Sequence, residues 1–154
     1  MMSLEIFLFR INMRLWLDTE FNSFCGELIS IALVSEDDKE FYEVLELPSN
    51  INPWVANNVI PLLNKNPISR KELQEKLRKF LLQFKHVEVI ADWPEDISHF
   101  MNVQVSQFGH RIATPPQTIR LVTNLLPESQ TPHNALSDAK ALREAHLKIL
   151  KKSS

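Results

Sequence analysis

The chain has 154 residues, of which 44% are apolar and 23% are charged, and its formal net charge is −2. These values are ordinary for one globular domain with its own hydrophobic core. The single cysteine, Cys25, excludes an intramolecular disulfide and a cysteine-rich zinc site and fits a reducing compartment, so we expect a cytoplasmic protein. No apolar run is long enough to cross a bilayer. With two glycines in total, the chain lacks a glycine-rich phosphate-binding loop.

The first twelve residues differ from the rest of the chain. Residues 1–12 are partly apolar, but they lack a basic leading segment and a small-residue cleavage site, which argues against a signal peptide. Met13 opens the run MRLWLD and reads as a natural start of the domain. Two alternatives stay open for residues 1–12: a tag, mis-assigned start or loose extension, or an additional edge strand. We predict a single domain over residues 13–152.

Three strands are predicted first, at residues 14–18, 28–34 and 40–47. The continuous apolar run at 28–34 is typical of a strand that is covered on both faces. Short links join the three strands, and the second link is the polar turn SEDDK at 35–39. An antiparallel arrangement of the three strands is therefore expected.

The middle of the chain is predicted to be helical. Residues 53–63 begin with Pro53, but Pro61 must end or kink this helix. In residues 69–84, Ser69 and Glu72 have the spacing of a capping box. The apolar stripe of this second helix consists of Leu73, Leu77, Phe80, Leu81 and Phe84.

The second half of the chain is predicted to mix strands and helices. A short strand at 87–91 is followed by Pro94, which breaks it, and by a helix that begins near Asp96. This order predicts an α/β or α+β layered domain. The remaining segments are 118–126, which fits either a strand or a helix, the loop 127–133 and the final helix 134–152.

Two carboxylates, Asp18 and Glu20, end the first apolar run. Alternate side chains of a strand point to the same side, so both carboxylates are predicted to lie on one face. Like charges this close repel each other, and each loses hydration where it is buried. Such a pair persists most easily when a divalent cation neutralises it.

A third carboxylate, Asp138, is predicted to face inward from the final helix. Its spacing places it on one face with Leu142, Ala145 and Ile149, the apolar stripe that should pack on the sheet. A carboxylate there is costly unless it is paired or bound to a cation. The alternative is an aspartate in the first helical turn that only stabilises the helix dipole.

Asp92 and Asp96 lie where a predicted strand gives way to a helix, a common place for active-site residues in α/β sheets. One of the two is expected to cap that helix. His133 lies five residues before Asp138, at the junction of a loop and the final helix. A lone histidine is more often structural than catalytic, but a polar loop and a nearby carboxylate favour a chemical role.

The segments LDTEF (17–21) and HNALSD (133–138) resemble the first and third motifs of the DEDDh 3′–5′ exonucleases, the DnaQ-like branch of the RNase H-like fold. The first motif is D-x-E on the first strand, and the third is H-x4-D at the last helix. The resemblance covers nearly all of residues 13–150. A finer resemblance, carried by DTEF, ELISIALV, PWV and VIP, is to the RNase AS-like exoribonuclease subgroup.

The resemblance implies an α/β, RNase H-like fold whose mixed central sheet has antiparallel first three strands and flanking helices. It also implies a two-metal 3′–5′ exonuclease that releases nucleoside 5′-monophosphates. Two divalent cations, Mg²⁺ or Mn²⁺, would be bound by Asp18, Glu20, Asp138 and a second-motif aspartate. Asp96 matches that motif best by position, and Asp92 is its rival. His133 would be the general base.

The subgroup implies RNA rather than DNA as the substrate and suggests a homodimer. The scarcity of basic residues favours a short or single-stranded 3′ end over a long duplex. Phe21 and Asn22 follow the first motif and are candidate substrate contacts. Trp16, Trp54 and Trp93 could also stack on bases, but most of these aromatic side chains are expected to belong to the core. The alternatives are a DNA exonuclease and an idle RNase H-like binding domain. The retained carboxylates and histidine argue against the second.

Overall fold

A five-stranded mixed sheet is the centre of the structure, a computed structural model that describes residues 12–154. The strands are β1 (Asn12–Phe21), β2 (Leu28–Ser35), β3 (Glu40–Val44), β4 (His86–Ala91), β5 (Val105–Gln107), β6 (His110–Arg111) and β7 (Gln117–Leu121). The helices are α1 (Pro53–Asn58), α2 (Arg70–Leu81), α3 (Pro94–Val103) and α4 (Ala135–Lys152), with a 3₁₀ turn at Ile60–Leu62.

The order of strands in the sheet is β3-β2-β1-β4-β7. The pairs β1–β2 and β2–β3 are antiparallel, whereas β1–β4 and β4–β7 are parallel. The predicted α/β fold with three antiparallel first strands is confirmed, and the arrangement is compatible with an RNase H-like fold. Since β1 is central, its carboxyl end is surrounded by segments from every part of the chain.

Strand β1 is longer at both ends than predicted. Asn12 already pairs with His86 of β4, so the strand includes the last residue of the segment 1–12. The alternatives for residues 1–11 lie outside the described residues. At the other end, pairing with β2 continues through Glu20 to Phe21, with an irregularity between them. Glu20 is therefore held by the sheet and not by a loop.

The two predicted helices in the middle of the chain are confirmed with shorter bounds. The first divides into α1 and the 3₁₀ turn, as the second proline of this segment, Pro61, predicted. At the start of α2, the hydroxyl of Ser69 accepts a hydrogen bond from the main-chain N–H of Glu72 at 3.2 Å. All five residues of the predicted apolar stripe are buried: Leu73, Leu77, Phe80, Leu81 and Phe84.

Helix α3 begins two residues earlier than predicted, and neither Asp92 nor Asp96 is its cap. The N-cap residue is Trp93, which makes no side-chain capping bond. Pro94 occupies the first helical position, where its missing N–H costs nothing and its backbone angle suits a helix. Asp96 therefore lies inside the first turn, and its side chain is available for a contact with β1.

The segment after α3 contains two elements that the sequence did not indicate. Strands β5 and β6 form a separate hairpin whose residues are all exposed, so no alternation of apolar and polar residues marks it. The ambiguous segment 118–126 contains a strand, β7, which ends at Leu121 and pairs with β4. The predicted strand at 40–47 also ends early, at Val44.

Helix α4 presents a different face to the sheet from the one predicted. Leu142 is buried as expected, but Ile149 is 46% exposed, so the predicted inward stripe is wrong at its end. Ala135, Ala139, Leu142 and His146 are buried and are also spaced by four, three and four, so they define the inward face in place of the stripe through Asp138. Asp138 lies at the border of the buried face and is half-buried.

Helices cover both faces of the central sheet. Successive residues of β1 point to opposite faces, so they pack against different helices. Leu15 and Leu17 pack with side chains of α2 and α3 in the largest buried cluster. On the other face, Trp16 packs with Leu142 of α4 and donates a 3.1 Å hydrogen bond from Nε1 to Nδ1 of His146. Within residues 12–154, no helix combines the length and apolarity that a membrane span requires.

Candidate active site

Five carboxylates surround the carboxyl end of β1. One carboxylate oxygen from each of Asp18, Asp92 and Asp96 lies within 4.8 Å of the others. The same is true of Asp18, Glu20 and Asp138, so Asp18 belongs to both groups. The structure therefore brings together every carboxylate that the sequence singled out, including both rivals for the second motif.

The strand alternation explains how Asp18 and Glu20 come to face the same helix. Both lie on the face of β1 that packs against α4, the helix that carries Asp138. Thr19 points to the opposite face and is buried. The two outer residues of the D-x-E segment thus face the carboxylate of α4, and the middle residue faces α3.

Thr19 holds Asp96 in place. Oδ1 of Asp96 accepts hydrogen bonds from the Thr19 hydroxyl at 2.7 Å and from the Thr19 main-chain N–H at 3.2 Å. Asp96 is only 2% exposed, so the orientation of its carboxylate is determined by these two donors. No chemical motif in the sequence marks Thr19, but its position between Asp18 and Glu20 on a strand predicts that its side chain points to the opposite face.

Two oxygens of the cluster are buried without a hydrogen-bond donor among the described residues: Oδ2 of Asp18 and Oδ1 of Asp138. The other Asp138 oxygen, Oδ2, accepts a 3.1 Å hydrogen bond from the main-chain N–H of His133. Buried carboxylate oxygens without a partner are unfavourable unless a cation binds them. Oxygen atoms of this type are the ligands that Mg²⁺ and Mn²⁺ prefer, so the cluster fits divalent cations.

Burial and mutual repulsion shift the pKa values of these carboxyl groups upward. Burial raises the pKa of Asp18 well above its usual range, and the neighbouring Asp96 and Glu20 raise it further. Burial, followed by the charges of Asp138 and Asp96, raises the pKa of Glu20 to about 8. Burial is also the largest cause of the raised pKa values of Asp96, which is about 7, and of Asp92. At neutral pH the metal-free cluster therefore tends to retain protons.

These shifts predict that the metal-free protein becomes less stable between about pH 5 and pH 8. The pKa of Glu20 is about 8 in the folded protein and near 4.5 in the unfolded chain, so folding favours the protonated form. That advantage is fully present below the unfolded pKa and is lost as the pH rises through the folded pKa. One pKa unit corresponds to about 1.4 kcal/mol, so the loss should be on the order of a few kcal/mol. Urea denaturation in EDTA at several pH values measures it.

The matched control for this prediction is Glu20→Gln, which removes one titrating group and should flatten the pH dependence. A saturating divalent cation should flatten it as well, because the cation favours the ionised carboxylates. A free energy of unfolding that stays constant or rises over this pH range in EDTA would contradict the prediction.

His133 lies at the mouth of the cluster and is exposed. Its backbone has a φ of 69°, and its ring lies edge-on to Trp54 with 5.0 Å between the ring centroids. The next residue, Asn134, caps α4 by accepting a hydrogen bond from the main-chain N–H of Ser137. The carboxamide of Asn134 also donates to the Leu62 carbonyl at 2.8 Å, which anchors the histidine loop to the 3₁₀ turn.

A cavity of about 530 Å³ opens beside Glu20 and is bordered by aromatic side chains. Trp54, Trp93 and Phe24 line it and are 53%, 57% and 84% exposed. The expectation that most of the aromatic candidates are core residues is therefore wrong for the two tryptophans of this cavity. It is confirmed for Trp16, which is fully buried. We call this site the aromatic cavity.

The candidate substrate contacts Phe21 and Asn22 have different surroundings. Phe21 is half-buried, lines the aromatic cavity, and packs on His99 with 4.9 Å between the ring centroids. The carboxamide of Asn22 is occupied by the protein: it donates to Asn50 O and Glu27 Oε2 and accepts from the main-chain N–H of Asn52. These bonds hold the turn after β1 against the segment before α1. The assignment of both residues to substrate stays a prediction.

The fold and the site together define an α/β protein with a candidate divalent-cation site at the end of its central strand. No protein-family model matches the chain. Two proteins of Mycobacterium tuberculosis, from the strains CDC 1551 and H37Rv, are each 28% identical to it over 149 residues. Each alignment covers 83% of this chain and 88% of the relative. Both relatives bear the name 3′-5′ exoribonuclease.

Proposed function

We propose that the protein is a metal-dependent 3′–5′ exonuclease of the DEDDh type that hydrolyses single-stranded RNA to nucleoside 5′-monophosphates. The observation that carries this proposal is the position of Asp18, which belongs to two groups of carboxylates at once. Similarity along most of the chain to two proteins named 3′-5′ exoribonuclease supports the direction of cleavage and the choice of RNA. The proposed exonuclease domain comprises residues 13–152, together with Asn12 at the start of β1.

Two divalent cations, Mg²⁺ or Mn²⁺, would be held by Asp18, Glu20, Asp96 and Asp138. Asp18 would contribute to both cations, since it alone belongs to both groups. The partnerless oxygens of Asp18 and Asp138 support this assignment. When bound, such cations supply Lewis-acid chemistry for the hydrolysis of a phosphodiester.

His133 would act as the general base. Its ring is exposed, and imidazole is the side chain best suited to take a proton near neutral pH. The main-chain N–H of His133 is bonded to Asp138, which ties the position of the base to a proposed metal ligand. The edge of Trp54 limits the orientations of the ring.

The aromatic cavity would bind the 3′-terminal nucleoside. Stacking of a base on an aromatic side chain tolerates any sequence, and Trp54 and Trp93 offer exposed ring surface for it beside Glu20. A terminal base can enter such a cavity only when it is unpaired, which favours a single-stranded end. We therefore propose that the aromatic cavity selects single-stranded 3′ ends.

The decisive experiment uses matched RNA and DNA oligonucleotides that carry a label at the 5′ end. With Mn²⁺ or Mg²⁺, we expect a ladder of labelled RNA products that shorten from the 3′ end, and nucleoside 5′-monophosphates as the released product. EDTA should abolish both. Faster shortening of DNA would support the alternative of a DNA exonuclease. Internal cuts, or no cleavage of either substrate, would contradict the proposal.

A comparison of Asp96→Asn with Asp92→Asn tests the second-motif assignment. The carboxamide oxygen that Asp96→Asn introduces can still accept the Thr19 hydrogen bonds, so this substitution should remove a charge without unfolding the site. We expect kcat to fall on the order of 1000-fold in Asp96→Asn, because several kcal/mol of transition-state stabilisation are lost. Asp92→Asn, the matched control at a half-buried position, should lose no more than about 10-fold. The reverse order of the two effects would assign the ligand to Asp92.

A further inference from the structure

A second cavity of about 550 Å³ lies next to the aromatic cavity, on the side of α2 and α3. Phe21 lines the aromatic cavity, and its ring packs on His99, which lines the second cavity. The turn after β1 also borders both, with Phe24 on one side and Cys25 on the other. The two cavities are thus neighbours, separated by the Phe21–His99 pair. We call the second one the upstream cavity.

Arg70 gives the upstream cavity a cation. Its Nη2 donates to the carbonyl oxygen of Asn102 at 2.8 Å and to Oδ1 of the same residue at 3.1 Å. These two bonds use one nitrogen, and no carboxylate among residues 12–154 forms an ion pair with Arg70. The remaining donors of this oriented guanidinium fork suit a phosphate, which guanidinium groups bind through two parallel hydrogen bonds.

We propose that the upstream cavity binds the nucleotides that immediately precede the 3′-terminal nucleotide of the RNA. Arg70 contacts a phosphate, and the rings of Phe21 and His99 support the base at the passage between the cavities. This inference rests on the proposed function, because it extends the path of the substrate away from the carboxylates. It makes Arg70 a residue that binds substrate and takes no part in the chemistry.

The other polar residues of the upstream cavity fit one phosphate rather than several. Glu27 and Glu46 also line it, and their carboxylates repel any phosphate that is not beside Arg70. Carboxylates accept hydrogen bonds from ribose hydroxyls and from the amino groups of bases, so they suit the rest of a nucleotide. The RNA is therefore expected to bind with one sugar and base facing these glutamates and with one phosphate facing Arg70 of α2.

The proposal predicts a dependence on substrate length. A dinucleotide with a free 5′-hydroxyl has only the scissile phosphate, so it lacks the upstream phosphate that Arg70 would contact, whereas an octanucleotide has this phosphate. We expect Arg70→Ala to raise KM for an RNA octanucleotide about 10- to 100-fold, the usual effect of losing a hydrogen bond to a charged group, and to leave kcat unchanged. Hydrolysis of a dinucleotide should be unaffected. Arg70→Lys should rescue only part of the loss, because an ammonium lacks the planar fork.

The matched control is Lys71→Ala, which removes the exposed cation next along α2, a residue that does not line the upstream cavity. Lys71→Ala should leave KM for both substrates unchanged. An equal rise of KM in Lys71→Ala and Arg70→Ala would show only general attraction by positive charge and would overturn the proposal. So would an Arg70→Ala enzyme that cleaves both substrates like the wild type.

Cys25 offers a second test that does not depend on activity. It is the single cysteine of the chain, is exposed, and lines the upstream cavity. An RNA octanucleotide whose penultimate base carries a tether ending in a mixed disulfide with a small thiol is incubated with the protein and Ca²⁺. The Cys25 thiolate should attack this disulfide, form a disulfide with the tether and release the small thiol. The same tether at the 5′ end should react far less, and equal reaction at both positions would overturn the proposal. If position-specific cross-linking occurs without 3′-end cleavage of any substrate, the proposed function fails and the binding path does not.

Discussion

Replacing Asp18 with Asn is expected to abolish both the hydrolysis of RNA 3′ ends and the stabilisation of the protein by Mn²⁺. Asp18 is the one carboxylate that both acidic groups share, so its loss weakens both proposed cation sites at once. The expected fall in kcat is at least on the order of 1000-fold. Activity on labelled RNA and thermal melting with and without Mn²⁺ measure the two effects.

The size of the Mn²⁺ effect follows from mass action. At a cation concentration about 100 times Kd, binding stabilises the wild-type fold by about 2.7 kcal/mol for each site. For a chain of this length, this corresponds to a rise in Tm of about 5 to 10 °C per site. Asp18→Asn should show little or none of this rise.

Without metal, Asp18→Asn should melt at a higher temperature than the wild type. The substitution removes a buried carboxylate whose pKa is raised by burial and by its acidic neighbours. Higher metal-free stability together with lost activity would exclude unfolding as the cause of inactivity. Glu128→Gln, at an exposed position, is the control and should behave like the wild type. Normal activity in Asp18→Asn would remove this residue from its proposed role.

The second large effect is expected at His133. Removal of a general base typically lowers the rate by about 10² to 10⁴. His133 contacts Asp138 through its main-chain N–H, so a side-chain substitution should leave the cation sites and the Mn²⁺-dependent rise in Tm intact. Loss of turnover with retained metal binding would separate the role of His133 from that of Asp18.

The choice of substituent matters at this position. His133 has a φ of 69°, a left-handed conformation that asparagine adopts more readily than alanine. His133→Asn should therefore keep the loop and still lose the base, so kcat should fall while the Mn²⁺-dependent rise in Tm remains. His110→Asn, on the exposed hairpin, is the control. Unchanged kcat in His133→Asn would contradict the assignment of the general base.

The fold was predictable from the sequence where local patterns carried the signal. The capping pattern and apolar stripe of α2 were sufficient because each residue of the stripe contributes to one periodic face. The hairpin of β5 and β6 was missed because all its residues are exposed and carry no periodicity. The start of α3 was misplaced because aspartate is a good cap in isolation, whereas Pro94 set the first turn.

Aromatic residues show a similar limit. Trp16 and Trp54 are both flanked by apolar residues in the sequence, yet one is fully buried and the other is 53% exposed. Trp16 lies on β1, where α4 covers it, whereas Trp54 lies on the exposed side of α1. A pattern of neighbours along the chain contains no information about such coverage.

By itself, the sequence determined that Asp18 and Glu20 point the same way, because strand alternation is a property of consecutive residues. Only the tertiary structure decided which other carboxylates meet them. Asp96 reaches β1 through hydrogen bonds with Thr19, a residue 77 positions away in the chain. Asp92 lies in the same group of carboxylates, although the sequence presented the two aspartates as rivals. Periodicity states which side chains share a face, but the free energy of packing two elements determines which faces meet.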